Sequence, residues 1–213
     1  MKHDDQTRSL VTEVVPEAFP WVRFLPREDV QAFVVELVDA LEGAEALCNP
    51  APVAQVITSW RHTAEVHADP ELLAVLQRDG DDFGAVARSG GSGRVSPKRG
   101  DPVAPPAVGG EWEIRFSTAE AVKGWHELEA AARGNLRKAW ETMRTDPGPG
   151  PGKPTSRHHQ LKGGLAHGTH QGRSLPRWQL EVTGAGRVWY LFDEPRRTVW
   201  GQHAGVGHPK QAD

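Results

Sequence analysis

One cysteine, Cys48, stands in 213 residues, so no disulfide can form within the chain and zinc sites built on several thiolates are excluded. Hydrophobic residues are 38% of the chain, below the usual share, so one large core is not expected. No apolar run approaches the roughly 18 residues of a membrane span. The opening Met1-Lys2-His3-Asp4-Asp5-Gln6 is too polar for a signal peptide. The expectation is a reducing, cytoplasmic setting with no membrane. A Walker loop, a nucleophile elbow and a His-Glu-x-x-His pair are all missing.

Gly and Pro are abundant, at 23 and 17 residues, which predicts much loop. The net charge of −3 hides a division. Residues 1–94 hold 8 Lys/Arg against 16 Asp/Glu, and residues 95–213 hold 17 against 12. An acidic half joined to a basic half suggests a part that faces nucleic acid and a part that balances it. Composition breaks at the same place. Ser89-Gly90-Gly91-Ser92-Gly93 reads as flexible coil, and Asp101-Pro102-Val103-Ala104-Pro105-Pro106 as an extended arm. The predicted division is an acidic helical part over 1–83, a linker and arm over 84–111, and a second domain over 112–213.

The fold class predicted is α+β. Val30, Phe33, Val34, Leu37, Val38, Leu41 and Ala44 follow helical spacing, with Pro26 at the helix start. Val53, Val56, Ile57, Trp60 and Ala64 repeat it. Asp69-Pro70 caps a third, short helix through Leu72, Leu73 and Leu76. These helices make a small core at best, or instead lay their apolar stripes on another protein's groove. In the second half, Trp112, Ile114 and Phe116 alternate as a strand. Ser117-Thr118-Ala119-Glu120 is a capping-box signature. Two helices follow, divided at Gly134. Three strands, 178–182, 187–192 and 198–204, then form a small, mainly antiparallel sheet with the apolar middle strand at its centre.

The chemistry-bearing groups collect around that sheet. Arg157, His158, His159 and Lys162 precede it, Arg187 opens the central strand opposite Glu181, and His208-Pro209-Lys210 lies in the tail. Such a set suits phosphodiester chemistry. An arginine binds phosphate through two N–H groups and stabilises the charge that builds on it. A His or a carboxylate takes the proton of a ribose 2′-OH, and a second group protonates the leaving 5′-oxygen. The RNA supplies its own nucleophile, so no cofactor and no metal is expected. His158, His159, His167 and His170 match no tight metal-ligand spacing. On spacing alone, Arg187 reads more readily as a solvated or structural arginine than as a catalytic one, and His62, His67, His158 and His159 as solvated histidines.

The second half resembles the RelE/YoeB-type toxin superfamily. The resemblance covers about residues 95–213. It rests on His159-Gln160-Leu161-Lys162-Gly163, on Trp178-Gln179-Leu180-Glu181-Val182-Thr183-Gly184-Ala185-Gly186-Arg187-Val188-Trp189-Tyr190, and on Gly207-His208-Pro209-Lys210. It implies an mRNA interferase that cuts mRNA in the 30S A site of the ribosome. Arg187 is then the phosphate-binding arginine, with Glu181, His159, His208 and Lys210 as the other catalytic candidates and Lys162, Arg157 and Tyr190 facing RNA. The superfamily often has a basic residue where Glu181 stands, which Glu181 replaces as a candidate general base, and one branch has a glutamate where His159 stands, so the resemblance leaves the identity of the general acid and base open. The segment from Trp60 to Leu73 is similar to the toxin-wrapping part of prevent-host-death (Phd/YefM) antitoxins. That implies a toxin–antitoxin fusion inhibited in cis or in trans, with promoter DNA binding and a homodimer left open. Two other readings stand beside it: a catalytically degenerate toxin fold that binds DNA or a partner, and a poison of another target such as gyrase.

Overall fold

The computed structural model describes residues 14–80, 106–148 and 155–206. Most of the linker and arm, and the tail with His208 and Lys210, lie outside them. A short α1 (Val15–Ala18) and a 3-10 turn (Pro20–Phe24) lead into α2 (Arg27–Leu47), α3 (Ala51–His67) and α4 (Pro70–Gln77). The second part runs β1 (Glu113–Phe116), α5 (Ala119–Thr145), β2 (His158–Gln160), β3 (His167–His170), β4 (Arg173–Glu181), β5 (Gly186–Asp193) and β6 (Thr198–Val206). The class is α+β. Among the described residues, no helix is long and apolar enough to cross a membrane.

Local chemistry explains the ends of the elements. The Asp69 carboxylate accepts from the N–H groups of Glu71 and Leu72 at 3.1 and 3.0 Å, and Pro70 opens α4 without needing a partner. At α5 the cap is Thr118, one residue beyond the Ser117 expected from the capping-box pattern. Its hydroxyl accepts from Ala121 N–H at 3.0 Å. Ser117 is drawn away because its hydroxyl donates to Gly201 O of β6 at 2.9 Å.

The two helices expected after β1 are one helix with a kink at Ala132 (φ −148°, ψ 47°), not a break at Gly134. Leu128 and Leu136 both bury against the sheet, yet they are eight residues apart. Eight residues fall about 80° past two full turns, which is still within one broad apolar stripe, so residues on both sides of the kink reach the same core. Gly134 itself touches nothing that a Cβ would meet.

The sheet order is β1-β6-β5-β4-β2, with β3 on another stretch of β4. Among the strands of the described residues, β1 pairs with β6 in parallel and the other pairs are antiparallel, and β5 is central as its two apolar faces require. Sequence reading missed β2 and β3 because their three and four residues are too short to show a period.

Both faces of the sheet are covered. On one, Trp125, Leu128, Leu136, Ala139 and Met143 of α5 pack on Ile114, Leu180, Val188, Tyr190 and Val199. The approach is close enough that a Cβ on Gly124 would lie 1.6 Å from Ala204 O. The other face carries the first half of the chain. That half has a small core of its own, with Phe33, Val56, Trp60 and Ala64 at its centre. It also lays Val66, Leu72 and Leu76 on Leu161, Leu165 and Trp189 of the second part. The first half therefore keeps the small core expected of it and lays its remaining apolar residues on the second part of the same chain.

Candidate functional site

Strand alternation sorts the candidate residues onto two faces. Along β4, Trp178 and Leu180 point into the α5 core, while Arg177, Gln179 and Glu181 point the other way. Along β5, Val188 and Tyr190 enter the core, while Arg187 and Trp189 join the outward set. Along β2, His158 turns inward and His159 outward. His159, Gln179, Glu181, Arg187 and Trp189 thus share one face, with Lys162 on the turn that follows β2. The residues 14–80 cover that face.

Arg187 is 4% exposed, and its Nη2 lies 3.3 Å from Glu65 Oε2. The contact is a charge pair without hydrogen-bond alignment, and Arg187 Nε has no hydrogen-bond partner among the described residues. The guanidinium is therefore buried with donors to spare. Lys162 Nζ pairs with Glu36, and its backbone N–H donates to Thr63 Oγ1 at 2.9 Å. One residue on, Gly163 sits at φ +54°, and a Cβ there would strike the Asp29 carboxylate at 2.2 Å. That carboxylate accepts from Gly164 N–H at 3.0 and 3.2 Å. Three acidic residues of the first half, Asp29, Glu36 and Glu65, thus meet the amide turn, the lysine and the arginine of the second.

His159 is 1% exposed and meets His62 of α3, with Nε2 3.2 Å from His62 Nδ1. Its Nδ1 donates to Thr155 O at 3.2 Å. Burial holds its pKa down to about 4, so the ring is neutral at pH 7. Gln179 Nε2 also reaches His62 Nδ1, at 3.0 Å, and Trp189 Nε1 donates to Gln179 Oε1 at 2.9 Å. Glu181 pairs with Arg157 Nε at 3.2 Å, although its Cα is in register with Arg187. The Arg157 side chain is 62% exposed at the rim. Arg177, 2% exposed, donates to Leu76 O, Leu165 O and Gln202 Oε1, which ties the end of α4 to the sheet.

Tyr190, expected to face RNA, is fully buried on the α5 side. It is one residue from Trp189, and alternation puts it on the wrong face. Its hydroxyl meets Pro147 O and lies 2.6 Å from His158 Nε2, and burial raises its pKa well above the usual value. His158 is therefore a core histidine, with its pKa lowered by burial. His62 and His67, read as solvated, are not. His62 is buried, and His67 lies 3.6 Å from Asp29 with its pKa lowered by burial. His170 lies against Trp200, with ring centroids 4.0 Å apart. Among the described residues, no three potential metal ligands converge.

Sequence reasoning missed Gln179, His62 and the three carboxylates. Gln179 carries a signal in hindsight: Arg177, Gln179 and Glu181 alternate with Trp178, Leu180 and Val182, a polar face on a strand otherwise built to be buried. The carboxylates carry none, because 29, 36 and 65 are matched to Gly164, Lys162 and Arg187 by tertiary packing alone. No family model, curated protein or solved structure matches this chain.

Proposed function

We propose that the chain is a self-covered, metal-independent endoribonuclease acting on mRNA, and that residues 14–80 serve as its antitoxin-like cover in cis. The observation that carries the reading is the placement of three carboxylates. Asp29 occupies the Gly164 amide, Glu36 the Lys162 ammonium and Glu65 the Arg187 guanidinium. Amide N–H, ammonium and guanidinium are the groups that proteins use to hold RNA phosphates. A cover that presents a carboxylate to each of them imitates the charge of the substrate it excludes.

Once uncovered, Arg187 binds the scissile phosphate and stabilises its developing charge. His159, neutral in the covered state, or Glu181, at the end of the neighbouring strand, takes the 2′-OH proton. The oxygen left behind attacks phosphorus, the P–O5′ bond breaks, and the 5′-oxygen takes up a proton from a second group. Removing the cover also removes the burial that depresses the His159 pKa, which makes it a stronger base when needed.

The test is a full-length triple variant, Asp29→Ala, Glu36→Gln, Glu65→Gln. It adds no cation and leaves Arg187 as an unpaired buried charge against the cover, a state that costs about 3–5 kcal/mol and drives opening. The triple variant is expected to cut mRNA in a translating extract, whereas the unaltered chain and the triple variant carrying Arg187→Ala do not. If the triple variant exchanges its Lys162 amide freely, the amide whose acceptor Thr63 Oγ1 on the cover is left in place, yet leaves mRNA intact, the catalytic reading falls. The non-catalytic binding protein then takes its place.

A further inference from the structure

The contact between His62 and the sheet is polar but mismatched. Trp189 Nε1 is a donor only, so Gln179 must turn its oxygen toward it at 2.9 Å and its amide nitrogen toward His62. Gln179 Nε2 donates to His62 Nδ1 at 3.0 Å, so that nitrogen carries no proton. His159 Nδ1 faces the Thr155 carbonyl at 3.2 Å, and a carbonyl only accepts, so the proton of the neutral ring sits there. His159 Nε2 is then bare, and it lies 3.2 Å from the equally bare His62 Nδ1. Two lone pairs face each other in a site where all three side chains are buried. The sheet thus offers a donor, Gln179 Nε2, beside an acceptor, His159 Nε2, and one imidazole nitrogen cannot satisfy both.

A flat ring does satisfy both if its edge carries an acceptor next to a donor. The Watson–Crick edge of a nucleobase has that arrangement, as in the ring nitrogen and exocyclic amino group of adenine or cytosine. Bases of single-stranded RNA are commonly read on this edge. His62 itself is a flat nitrogen heterocycle, and it meets the His159 ring at 24° from parallel with centroids 5.0 Å apart. It lies one turn before Glu65, which holds Arg187. The place it fills is therefore next to the place where the reading above puts a phosphate.

We propose that the position held by His62 is a nucleobase subsite, in which Gln179, oriented by Trp189, donates to an acceptor on the base edge and His159 accepts from the neighbouring donor. This rests on the reading of the covered face as an RNA site. The cover then imitates a nucleotide in both its parts, a carboxylate for the phosphate and an imidazole for the base. Gln179 is the specificity-determining residue of the pair, since it touches the base and has no part in the proton transfers; with His159 Nε2 engaged on the base edge, Glu181 is left to take the 2′-OH proton.

The test measures binding, not cleavage. The probe is a single-stranded hexaribonucleotide with 2′-O-methyl groups, which cannot be cut, beside hexamers carrying one abasic residue at each position in turn. Fluorescence anisotropy gives Kd for the full-length triple variant. One abasic position is expected to weaken binding about tenfold or more, the size of a base-edge contact pair. Gln179→Leu, and Gln179→Glu as the variant that keeps an acceptor for Trp189, are expected to weaken the intact hexamer by the same factor. Both should leave the hexamer that is abasic at that position unchanged. If the Gln179 variants weaken intact and abasic hexamers alike, or neither, the subsite is overturned while RNA binding stands. If the triple variant exchanges its Lys162 amide freely but binds no hexamer, the RNA reading falls and the subsite with it.

Discussion

His158 and His159 are neighbours in the chain and face opposite sides of the sheet, and their chemistry differs accordingly. His158 meets Tyr190 in the α5 core. Tyr190→Phe removes a hydroxyl that Pro147 O and His158 both use, so it should cost about 1–3 kcal/mol in unfolding free energy. In the opened protein it should leave RNA affinity unchanged. A matching loss of affinity would return Tyr190 to the site. His159 titrates against the cover. Its pKa is about 4 in the covered chain and 6.5 when solvated, so the covered state favours the neutral ring. That contribution is complete above pH 6.5 and is lost as pH falls toward 4, on the order of 3 kcal/mol over the window. His67, His158 and His203 are lowered by burial too and act in the same direction. Thermal unfolding should therefore drop between pH 7.5 and pH 5, and His159→Gln should flatten the drop. An unaltered midpoint across that range in the parent chain would contradict this.

At the scale of elements, two glycines set how closely parts approach. Gly124 lets α5 rest on β6, and Gly124→Ala would drive a methyl group into Ala204 O. The overpacking should cost about 1–3 kcal/mol or more, read as a lower denaturant midpoint. Gly163 turns the chain after Lys162 with positive φ and leaves room for the Asp29 carboxylate. Gly163→Ala should loosen the cover without altering any charge. The measurable sign is faster hydrogen exchange at Lys162 and Gly164, with protection across β4 and β5 retained. Exchange that rises equally in β5 would mean that the whole domain had been weakened. The helix caps show how local rules were legible. Asp69 and Pro70 announced α4 outright, while the cap of α5 moved from Ser117 to Thr118 because β6 competes for the serine hydroxyl.

At the scale of the molecule, the sheet is a shared wall between two different kinds of contact. Every buried residue of the α5 core lies between 112 and 204, so that half carries its own apolar interior. The opposite face is joined to residues 14–80 through ion pairs, mixed polar contacts and one small apolar cluster. Apolar burial is insensitive to salt, whereas the partly exposed Lys162–Glu36 pair is screened by it. Raising salt from about 0.05 to 0.5 M should thus speed exchange at Gly164 while the exchange of β5 amides holds steady. An equal response at both places would mean that the cover and the domain open as one unit.

Residue pattern alone determined much of this protein. Hydrophobic pattern marked α2, α3, α4 and the three long strands, because each helix has one apolar face to hide and the central strand two. The charge difference between residues 1–94 and 95–213 announced two surfaces of opposite sign. Arg187, Lys162 and His159 were named as candidates from residue type and resemblance, and the fold brings them to one face with Glu181. Pattern could not tell on which side of the sheet Tyr190 and His158 would fall, since a central strand is apolar on both faces and β2 is too short to show alternation. Nor could it match Glu65 with Arg187 or His62 with Gln179, 122 and 117 positions apart. Such pairings follow from how a helical segment docks across a sheet. Docking is decided by the shape and charge of the two assembled surfaces, which exist only once the chain has folded.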